Sequence, residues 1–312
     1  MSNPRCPLCG EATTELVLLA PDFRMGQERP HAVWRCARCD VGITASAWDA
    51  QARADAYARG YAPHDARVRA ATGLRGRMAA SIRQGFGYAQ ELAWPLPWWL
   101  MRALARVRAW TWQPPPPPAG RLLDVGCGSG VYGASLIRLG WQVDGVEPDA
   151  HAAELARAHG LNVQANSIEQ AVLPRAAYDV VTLWHSLEHT SNPVAVLHKL
   201  HAALRPQGLL MVEVPNMAGW GAGFMGPYWY HWDLPRHRLH FTPSSLRRAM
   251  ERAGYEDVRV QYVPNPHGLA GGLRYRFGWR SAFWLAVGWF FGLSAALFHR
   301  ADVIRAQGRR AF

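Results

Sequence analysis

The chain has 312 residues, of which 49% are hydrophobic and 18% are charged, and this composition excludes an intrinsically disordered protein. The formal net charge is +11, but residues 116–214 carry 6 basic and 9 acidic side chains, so the basic excess lies on both sides of them. A nucleic-acid-binding protein is expected to carry its basic residues on the central domain, which argues against nucleic acid as a partner. Basic flanks that are rich in Trp are more typical of contact with anionic lipid or an anionic substrate.

Residues 1–45 are predicted to form a small zinc-ribbon-like module. The longest early apolar run, 16–20, is shorter than the core of a secretory signal, so we expect a cytoplasmic protein. Without an export signal, two C-x2-C pairs indicate metal ligands rather than disulfides. Four thiolates on two tight turns predict a closed structural Zn²⁺ site, to which no chemistry is assigned; its ligands are Cys6, Cys9, Cys36 and Cys39.

Residues 46–118 are predicted to be a helical, Trp- and Arg-rich linker that ends in the polyproline spacer 114–118. Strand and helix patterns then alternate. The predicted strands are 121–125, 142–146, 162–165, 178–184 and 208–214, and the predicted helices are 130–139, 149–159 and 192–204. This alternation predicts an α/β fold with a mostly parallel sheet between two layers of helices. The core, 119–263, continues through an aromatic insert, a helix and a strand, at 215–242, 243–253 and 255–263.

A glycine-rich loop follows the first of these strands. Glycines at 126, 128 and 130 let the backbone turn sharply and lie close to a ligand, and the helix start beyond them offers N–H groups to a carboxylate. Asp124 ends the strand and can bind an amino group, whereas Glu147, at the tip of the next strand, can accept both ribose hydroxyls of an adenosine.

The same loop also matches the dinucleotide fingerprint G-x-G-x-x-G from Gly128 to Gly133. Asp124 and the compact glycine spacing favour S-adenosylmethionine (SAM), while an NAD enzyme and a purely structural turn are the alternatives.

Asp124 to Gly130, together with Glu147, resembles motif I and its partner in the class I SAM-dependent methyltransferases. Residues 187–193 and 204–208 resemble the signatures of the same superfamily after the fourth strand and at the fifth. The resemblance implies a Rossmann-like sheet with a final antiparallel strand, and SAM bound by Asp124, Gly126, Cys127, Gly128, Gly130, Glu147, Pro148, Asn166, Ser167 and Trp184. Asn166 stands where the family often has Asp, so its adenine contact would use the amide carbonyl oxygen. Several sugar-modifying methyltransferases carry a similar zinc module.

In this superfamily the residues after the fourth strand face the methyl group, which makes His185, Glu188 and His189 the catalytic candidates. A histidine here can be a general base near neutral pH, and the alternative for His189 is a helix cap or a packing contact. Glu188-His189 also resembles the metal-binding E-H pair of the 3-demethylubiquinone O-methyltransferases. Because His185 replaces a further Glu of those enzymes, a divalent ion is the second interpretation.

The aromatic insert, whose residues 228–242 resemble a methyltransferase subgroup with the pattern W…D-x-P-R-H…F, supplies the acceptor-binding candidates. Aromatic faces combined with Arg and His suit a sugar, an aromatic ring or a phosphate-bearing acceptor, although a lid over SAM is the alternative. The candidates are Tyr228, Trp232, Arg236 and His237.

Residues 264–312 are predicted to contain a hydrophobic helical insertion and a possible last strand at 301–306. The uncharged stretch 281–298 is too short for a spanning helix, which needs about 20 apolar residues. Arginines on both sides of it predict peripheral contact with the inner face of a membrane, and a core or dimer helix is the alternative.

We therefore predict a cytoplasmic SAM-dependent methyltransferase that acts on a small-molecule, sugar or lipid-linked acceptor. A quinone-type O-methyltransferase is the alternative within this class. The alternative from another class is a non-catalytic SAM-binding or zinc-ribbon interaction protein. No oligomeric state follows from the sequence.

Overall fold

The computed structural model describes residues 3–45, 73–91 and 93–312, so residues 46–72 of the predicted linker 46–118 lie outside the described residues. Contacts divide the chain into two compact units. In its described part, the histidine unit comprises 3–45, 172–177 and 181–312, and the glycine-loop unit comprises 73–91, 93–171 and 178–180. The finer four-part division of the chain that the sequence suggests stays a prediction.

An antiparallel sheet near the N-terminus belongs to the histidine unit. Its first strands are β1 (Glu15–Asp22), β2 (Gln27–Arg35) and β3 (Gly42–Ala45). A two-residue strand of the aromatic insert, Leu239–His240, pairs with β3 and completes the sheet. The cysteine pairs precede β1 and connect β2 to β3, so this sheet is the scaffold of both cysteine turns.

The glycine-loop unit contains the first half of the α/β alternation. Its elements are α1 (Gly73–Gly85), α2 (Trp98–Arg108), β4 (Arg121–Val125), α3 (Val131–Ile137), β5 (Gln142–Val146), α4 (Ala150–Ala158) and β6 (Asn162–Gln164). The strands β4, β5 and β6 pair in parallel. Each predicted strand and helix from 121 to 165 is confirmed, with bounds that agree within two residues, because alternating apolar strands and helix starts are local signals.

The remaining elements lead from the fourth α/β strand to the C-terminus. They are β7 (Tyr178–Trp184), α5 (Pro193–Ala203), β8 (Leu204–Pro215), α6 (Trp220–Met225), β9 (Leu239–His240), α7 (Pro243–Arg252), β10 (Tyr255–Val263), α8 (His267–Phe277), α9 (Ala282–Leu297) and β11 (Val303–Arg310). The strand order of the large sheet is β10-β11-β8-β7-β4-β5-β6. Strand β11 runs antiparallel to β8 and β10, so the predicted α/β Rossmann-like sheet with a final antiparallel strand is confirmed.

The aromatic insert is more ordered than the loop that its Gly and Pro content suggests. It forms α6, two short 3-10 turns at 226–228 and 230–232, and β9. Trp229 and Trp232 are buried in an apolar cluster with Ala20 and Val33 of the N-terminal sheet and with Met225 of α6. Burial of the two indoles packs this segment onto the N-terminal sheet in a shared core.

The hydrophobic insertion between β10 and β11 is helical, as predicted, and consists of α8 and α9. Among the described residues, no helix is both long enough and apolar enough to cross a membrane.

Candidate active site

The glycine loop connects the buried strand β4 to α3. The backbone angle φ is 71° at Gly126, 53° at Gly128 and 79° at Gly130, a left-handed conformation that residues with a Cβ rarely adopt. A Cβ on Gly130 would lie 2.7 Å from the Cα of Ala156 in α4, so Gly130 also permits close packing of the loop on this helix.

Two buried carboxylates lie at the ends of adjacent parallel strands. Asp124 is in β4, directly beside Gly145 of β5, and Glu147 follows the end of β5. Both side chains are almost fully buried. Glu147 Oε2 accepts a hydrogen bond from the Gly128 amide at 2.8 Å, and its Oε1 accepts one from the Asp149 amide at 2.9 Å. Glu147 therefore orients the glycine loop.

The other predicted cofactor residues lie around this loop or elsewhere in the chain. Cys127 is buried against Gly145, where a Cβ would lie 2.7 Å from its sulfur, and burial together with the Asp124 and Glu147 carboxylates raises the pKa of the thiol. Asn166 is half-buried and its Oδ1 accepts from the Ser167 amide at 2.9 Å, whereas Pro148 is exposed. Trp184 ends β7 in the histidine unit, where the guanidinium carbon of Arg305 lies 5.1 Å from its ring.

In the histidine unit, His185 lies between two carboxylates. Its Nδ1 is 3.4 Å from Glu188 Oε1, and its Nε2 is 3.3 Å from Glu213 Oε1. Burial alone would lower the pKa of His185, but the two carboxylates outweigh it and raise the pKa to about 10. The imidazole is therefore a cation at neutral pH. The side chain of His185 is 39% exposed, and its backbone is in the left-handed region, with φ at 52°.

Glu188, His189 and His237 form a second grouping, in which the ligand atoms all lie within 4.8 Å of one another. Together with His185 and Glu213, we call these residues the histidine cluster. His189 Nδ1 contacts the Arg236 carbonyl oxygen at 3.0 Å, and His237 Nδ1 contacts the His231 carbonyl oxygen at 2.9 Å. Because a carbonyl only accepts, both rings donate from Nδ1, and in the neutral form the lone pair is on Nε2.

Glu188 is the most deeply buried member of the histidine cluster. Its side chain is fully buried, and neither carboxylate oxygen accepts a hydrogen bond of normal geometry from the described residues. A buried carboxylate of this kind is typical of a functional site. Burial, with His189 and His240 nearby, holds the pKa of His237 well below its usual value, so the ring beside Glu188 is neutral.

The four predicted acceptor-binding residues differ in how accessible their side chains are. Tyr228 is half-buried, and its ring lies 4.9 Å from that of Phe23. Trp232 is buried and donates from Nε1 to the Gly226 carbonyl oxygen at 2.8 Å, and His237 belongs to the histidine cluster. Only Tyr228 has an accessible side chain of the kind that the prediction required.

Arg236 is fully buried in an ion-pair network instead of facing an acceptor. Its guanidinium donates to Asp22 of β1 at 2.7 and 2.8 Å and to Asp233 at 2.8 Å. From the same sheet, Thr44 Oγ1 of β3 donates to the His237 carbonyl oxygen at 2.7 Å. The N-terminal sheet therefore holds the backbone on both sides of His237, and this geometry does not favour the predicted acceptor contact of Arg236.

The four cysteines of the two C-x2-C pairs converge, with their sulfur atoms within 4.8 Å of one another. Cys9 Sγ and Cys36 Sγ are 3.7 Å apart, close to the roughly 3.8 Å that two sulfurs 2.3 Å from one tetrahedral Zn²⁺ would have. The Cys39 amide donates to Cys36 Sγ at 3.4 Å, as in a tight thiolate turn. The donor set and its spacing fit a structural zinc ion.

Sequence reasoning missed Glu213, which binds both His185 and Arg305, and Asp22, which binds Arg236. The signal for Glu213 was available, because it is the single charged residue of the apolar run 209–215. Asp22 had no such signal, since its partner lies 214 residues away.

Comparison with known proteins identifies the family. A family model described as a methyltransferase domain matches residues 99–260. The chain is 31% identical over 157 residues to a ubiquinone biosynthesis O-methyltransferase of Xanthomonas axonopodis, and 30% identical over 153 residues to one of Idiomarina loihiensis. These alignments cover 45% of this chain and 66% and 63% of the relatives, so the chain spans somewhat less than two thirds of their length.

Among solved structures, an S-adenosylmethionine-dependent methyltransferase from Mesorhizobium loti superposes with a TM-score of 0.47 and 18% identity, over 66% of this chain and 97% of that one. The family match covers the glycine loop and both buried carboxylates, and it favours the methyltransferase interpretation of the loop over the NAD alternative. Since the match extends over just more than half of the chain, the chain belongs to the methyltransferase domain family.

Proposed function

We propose that this protein transfers the methyl group of SAM to a small-molecule acceptor. The observation that carries the proposal is the pair of buried carboxylates, Asp124 and Glu147, at the ends of adjacent parallel strands beside three left-handed glycines. Glu147 would accept the ribose hydroxyls, Asp124 would bind the methionine amino group, and Asn166 with Ser167 would contact the adenine. The match of the methyltransferase family to this segment supports the assignment.

Within the histidine cluster, we assign different roles in the reaction to His189 and His185. The acceptor oxygen attacks the methyl carbon, the carbon–sulfur bond breaks, S-adenosylhomocysteine leaves, and a base takes the hydroxyl proton. His189 is the base that the geometry favours, because its Nδ1 is held by a carbonyl and its neutral ring has the lone pair on Nε2. His185 is already protonated between Glu188 and Glu213, so its proposed role is to balance their charge.

Quinone-type O-methylation is the second candidate, and two observations favour it over a sugar or lipid-linked acceptor. The relatives described above are named ubiquinone biosynthesis O-methyltransferases. In addition, Glu188, His189 and His237 form a donor set that fits a divalent ion, with His237 in place of the predicted ligand His185. Such an ion would polarise an acceptor oxygen.

A structural Zn²⁺ ion bound by the four cysteines is the second cofactor that we propose. Support comes from the spacing of the sulfur atoms. The ion would stabilise the sheet that contacts the aromatic insert through Asp22 and Thr44. We place the chain in a zinc-ribbon-containing subgroup of the methyltransferases on the same grounds. The protein is proposed to be cytoplasmic and to contact the inner face of a membrane, for which the apolar exterior of α9 is the support.

The test is transfer of label from methyl-labelled SAM into fractionated cell extract, combined with calorimetric titration of SAM. The wild type is expected to bind SAM and to label a small molecule, and Glu147→Gln to bind SAM about 10- to 100-fold more weakly. Glu154→Gln, on the exposed side of α4, is the matched control and should bind normally. SAM binding without labelling of any fraction would support the non-catalytic alternative, and no binding by the wild type would contradict the proposal.

A further inference from the structure

Helix α9 has its small residues inward and its large residues outward. The buried residues of the helix are Gly288, Gly292 and Ala295. A Cβ on Gly288 would lie 2.4 Å from the Pro266 carbonyl oxygen, and one on Gly292 would lie 2.5 Å from that of Asn265. The backbone of α9 therefore packs directly on the segment that connects β10 to α8, and no room remains there for a large side chain.

The opposite stripe of α9 consists of Phe283, Phe290 and Leu297, which are 64%, 75% and 82% exposed. Their seven-residue spacing puts them on one line of the helix, over about 21 Å at 1.5 Å per residue. A helix that is apolar on all sides is normally buried in a protein core or in lipid. The described residues of the chain leave this stripe largely exposed, and an exposed apolar patch of this kind is typical of an interaction site.

Aromatic residues extend the surface at both ends of α9. Before the helix, the exposed Phe277 and Trp279 stack on each other, with ring centroids 4.9 Å apart, and Trp279 stacks on Trp284 at 4.4 Å. After it, the exposed Phe298 stacks on Trp220 of α6 at 5.5 Å. We call the stripe together with these flanking rings the α9 surface. Such aromatic ends on an apolar segment are typical of proteins that lie in a membrane interface.

The charge around the α9 surface identifies its partner. Residues 264–301 contain no Asp or Glu and four arginines, all of them exposed: Arg274, Arg276, Arg280 and Arg300. An isologous dimer would bring this surface, with its arginines and no Asp or Glu from 264 to 301, against the same surface of a second copy, because a two-fold axis pairs a surface with itself. An anionic lipid headgroup layer instead complements the arginines, while its acyl boundary takes up the aromatic rings.

We propose that the α9 surface lies in the plane of an anionic membrane, with Phe283, Phe290 and Leu297 in the acyl boundary and the arginines on the headgroups. The proposal rests on the peripheral location proposed above and is independent of methyl transfer. Vesicle binding and SAM binding measured on the same variants therefore separate the failure of one proposal from the failure of the other.

The experiment is flotation of the full chain with vesicles of phosphatidylcholine mixed with phosphatidylglycerol, and with vesicles of phosphatidylcholine alone. The wild type is expected to float with the mixed vesicles and, in moderate salt, much less with the neutral ones. The triple variant Phe283→Ser, Phe290→Ser, Leu297→Ser should lose flotation with both. The matched control is Leu16→Ser, Leu19→Ser, Val172→Ser, which changes three exposed apolar residues of the same unit and should float normally.

The arginine contribution has its own variant, Arg276→Gln, Arg280→Gln, Arg300→Gln, which should bind the mixed vesicles roughly 100-fold more weakly. Its control, Arg29→Gln, Arg175→Gln, Arg252→Gln, removes the same charge from exposed sites of the same unit. Chemical denaturation followed by tryptophan fluorescence shows that each variant is folded. A wild type that floats with neither vesicle, or a serine variant that floats normally, would overturn the proposal, and a wild-type dimer that the serine variant makes monomeric would assign the surface to a second copy.

Discussion

The candidate cofactor residues from Asp124 to Pro148 lie within 25 consecutive residues, and hydrogen bonds between neighbouring elements, such as Glu147 to Gly128, hold them together. The histidine cluster is assembled from β7, β8 and the aromatic insert, and the insert is attached to a sheet formed by the first 45 residues. The first region is encoded by local sequence, whereas the second depends on contacts between distant segments. The two regions should therefore respond differently to changes in the N-terminal sheet.

Removal of zinc should have the largest effect and should act on one region only. Cys36→Ser, or treatment with a strong chelator, is expected to destabilise the N-terminal sheet by several kcal/mol, because a structural zinc site supplies folding free energy. Transfer activity should fall with it, since this sheet holds the backbone around His237, while SAM affinity should change little. Mass spectrometry of the native protein gives the zinc content, and Cys127→Ala is the control that should retain one ion.

His189→Ala should lower kcat by about 10²- to 10⁴-fold at unchanged SAM affinity, which is the range for loss of a general base. Single-turnover kinetics and SAM titration measure the two quantities. His198→Ala, an exposed histidine on α5, is the control. An unchanged kcat in His189→Ala would refute the assignment of the base.

Arg236→Met should lower the free energy of unfolding by about 3–5 kcal/mol, because it leaves the buried Asp22 carboxylate without its cation and removes one of the two arginines beside Asp233, the other being Arg24. Chemical denaturation measures this loss. The double variant Asp22→Asn, Arg236→Met should recover part of it, since one of the two buried charges is then removed. A loss below about 1 kcal/mol would mean that Arg236 does not connect the sheet to the insert.

The smallest effect concerns the charge of His185. Its pKa is raised to about 10 in the folded protein, above the roughly 6.5 of an unfolded chain, so between these pH values only the folded state keeps the proton. This contribution to stability is present below about pH 6.5 and is lost as the pH rises through 10. Water screens the pairs of this partly exposed side chain, so the dependence should be modest. Nitrogen NMR should show an imidazolium at pH 8, and a neutral ring there would contradict the geometry.

The sequence predicts the glycine-loop unit well, because an apolar strand, a glycine turn and a capped helix are signals within a few residues of one another. The spacing of the four cysteines, and the adjacent Glu188 and His189, are local signals as well, and in the structure each set lies in one grouping. It does not predict that Arg236 is buried between Asp22 and Asp233, or that His237 joins Glu188 and His189 in one donor set, since these depend on long-range packing. The inward glycines of α9 are also visible only in the structure, because its uniform apolar composition gives no preferred face.

A crystal structure of the protein with S-adenosylhomocysteine tests the central claim most directly. We predict that the ribose hydroxyls bind the Glu147 carboxylate and that the homocysteine part lies along the glycine loop from Gly126 to Gly130. An empty glycine loop, or density for the ligand at a different place, would contradict the assignment of SAM to this protein.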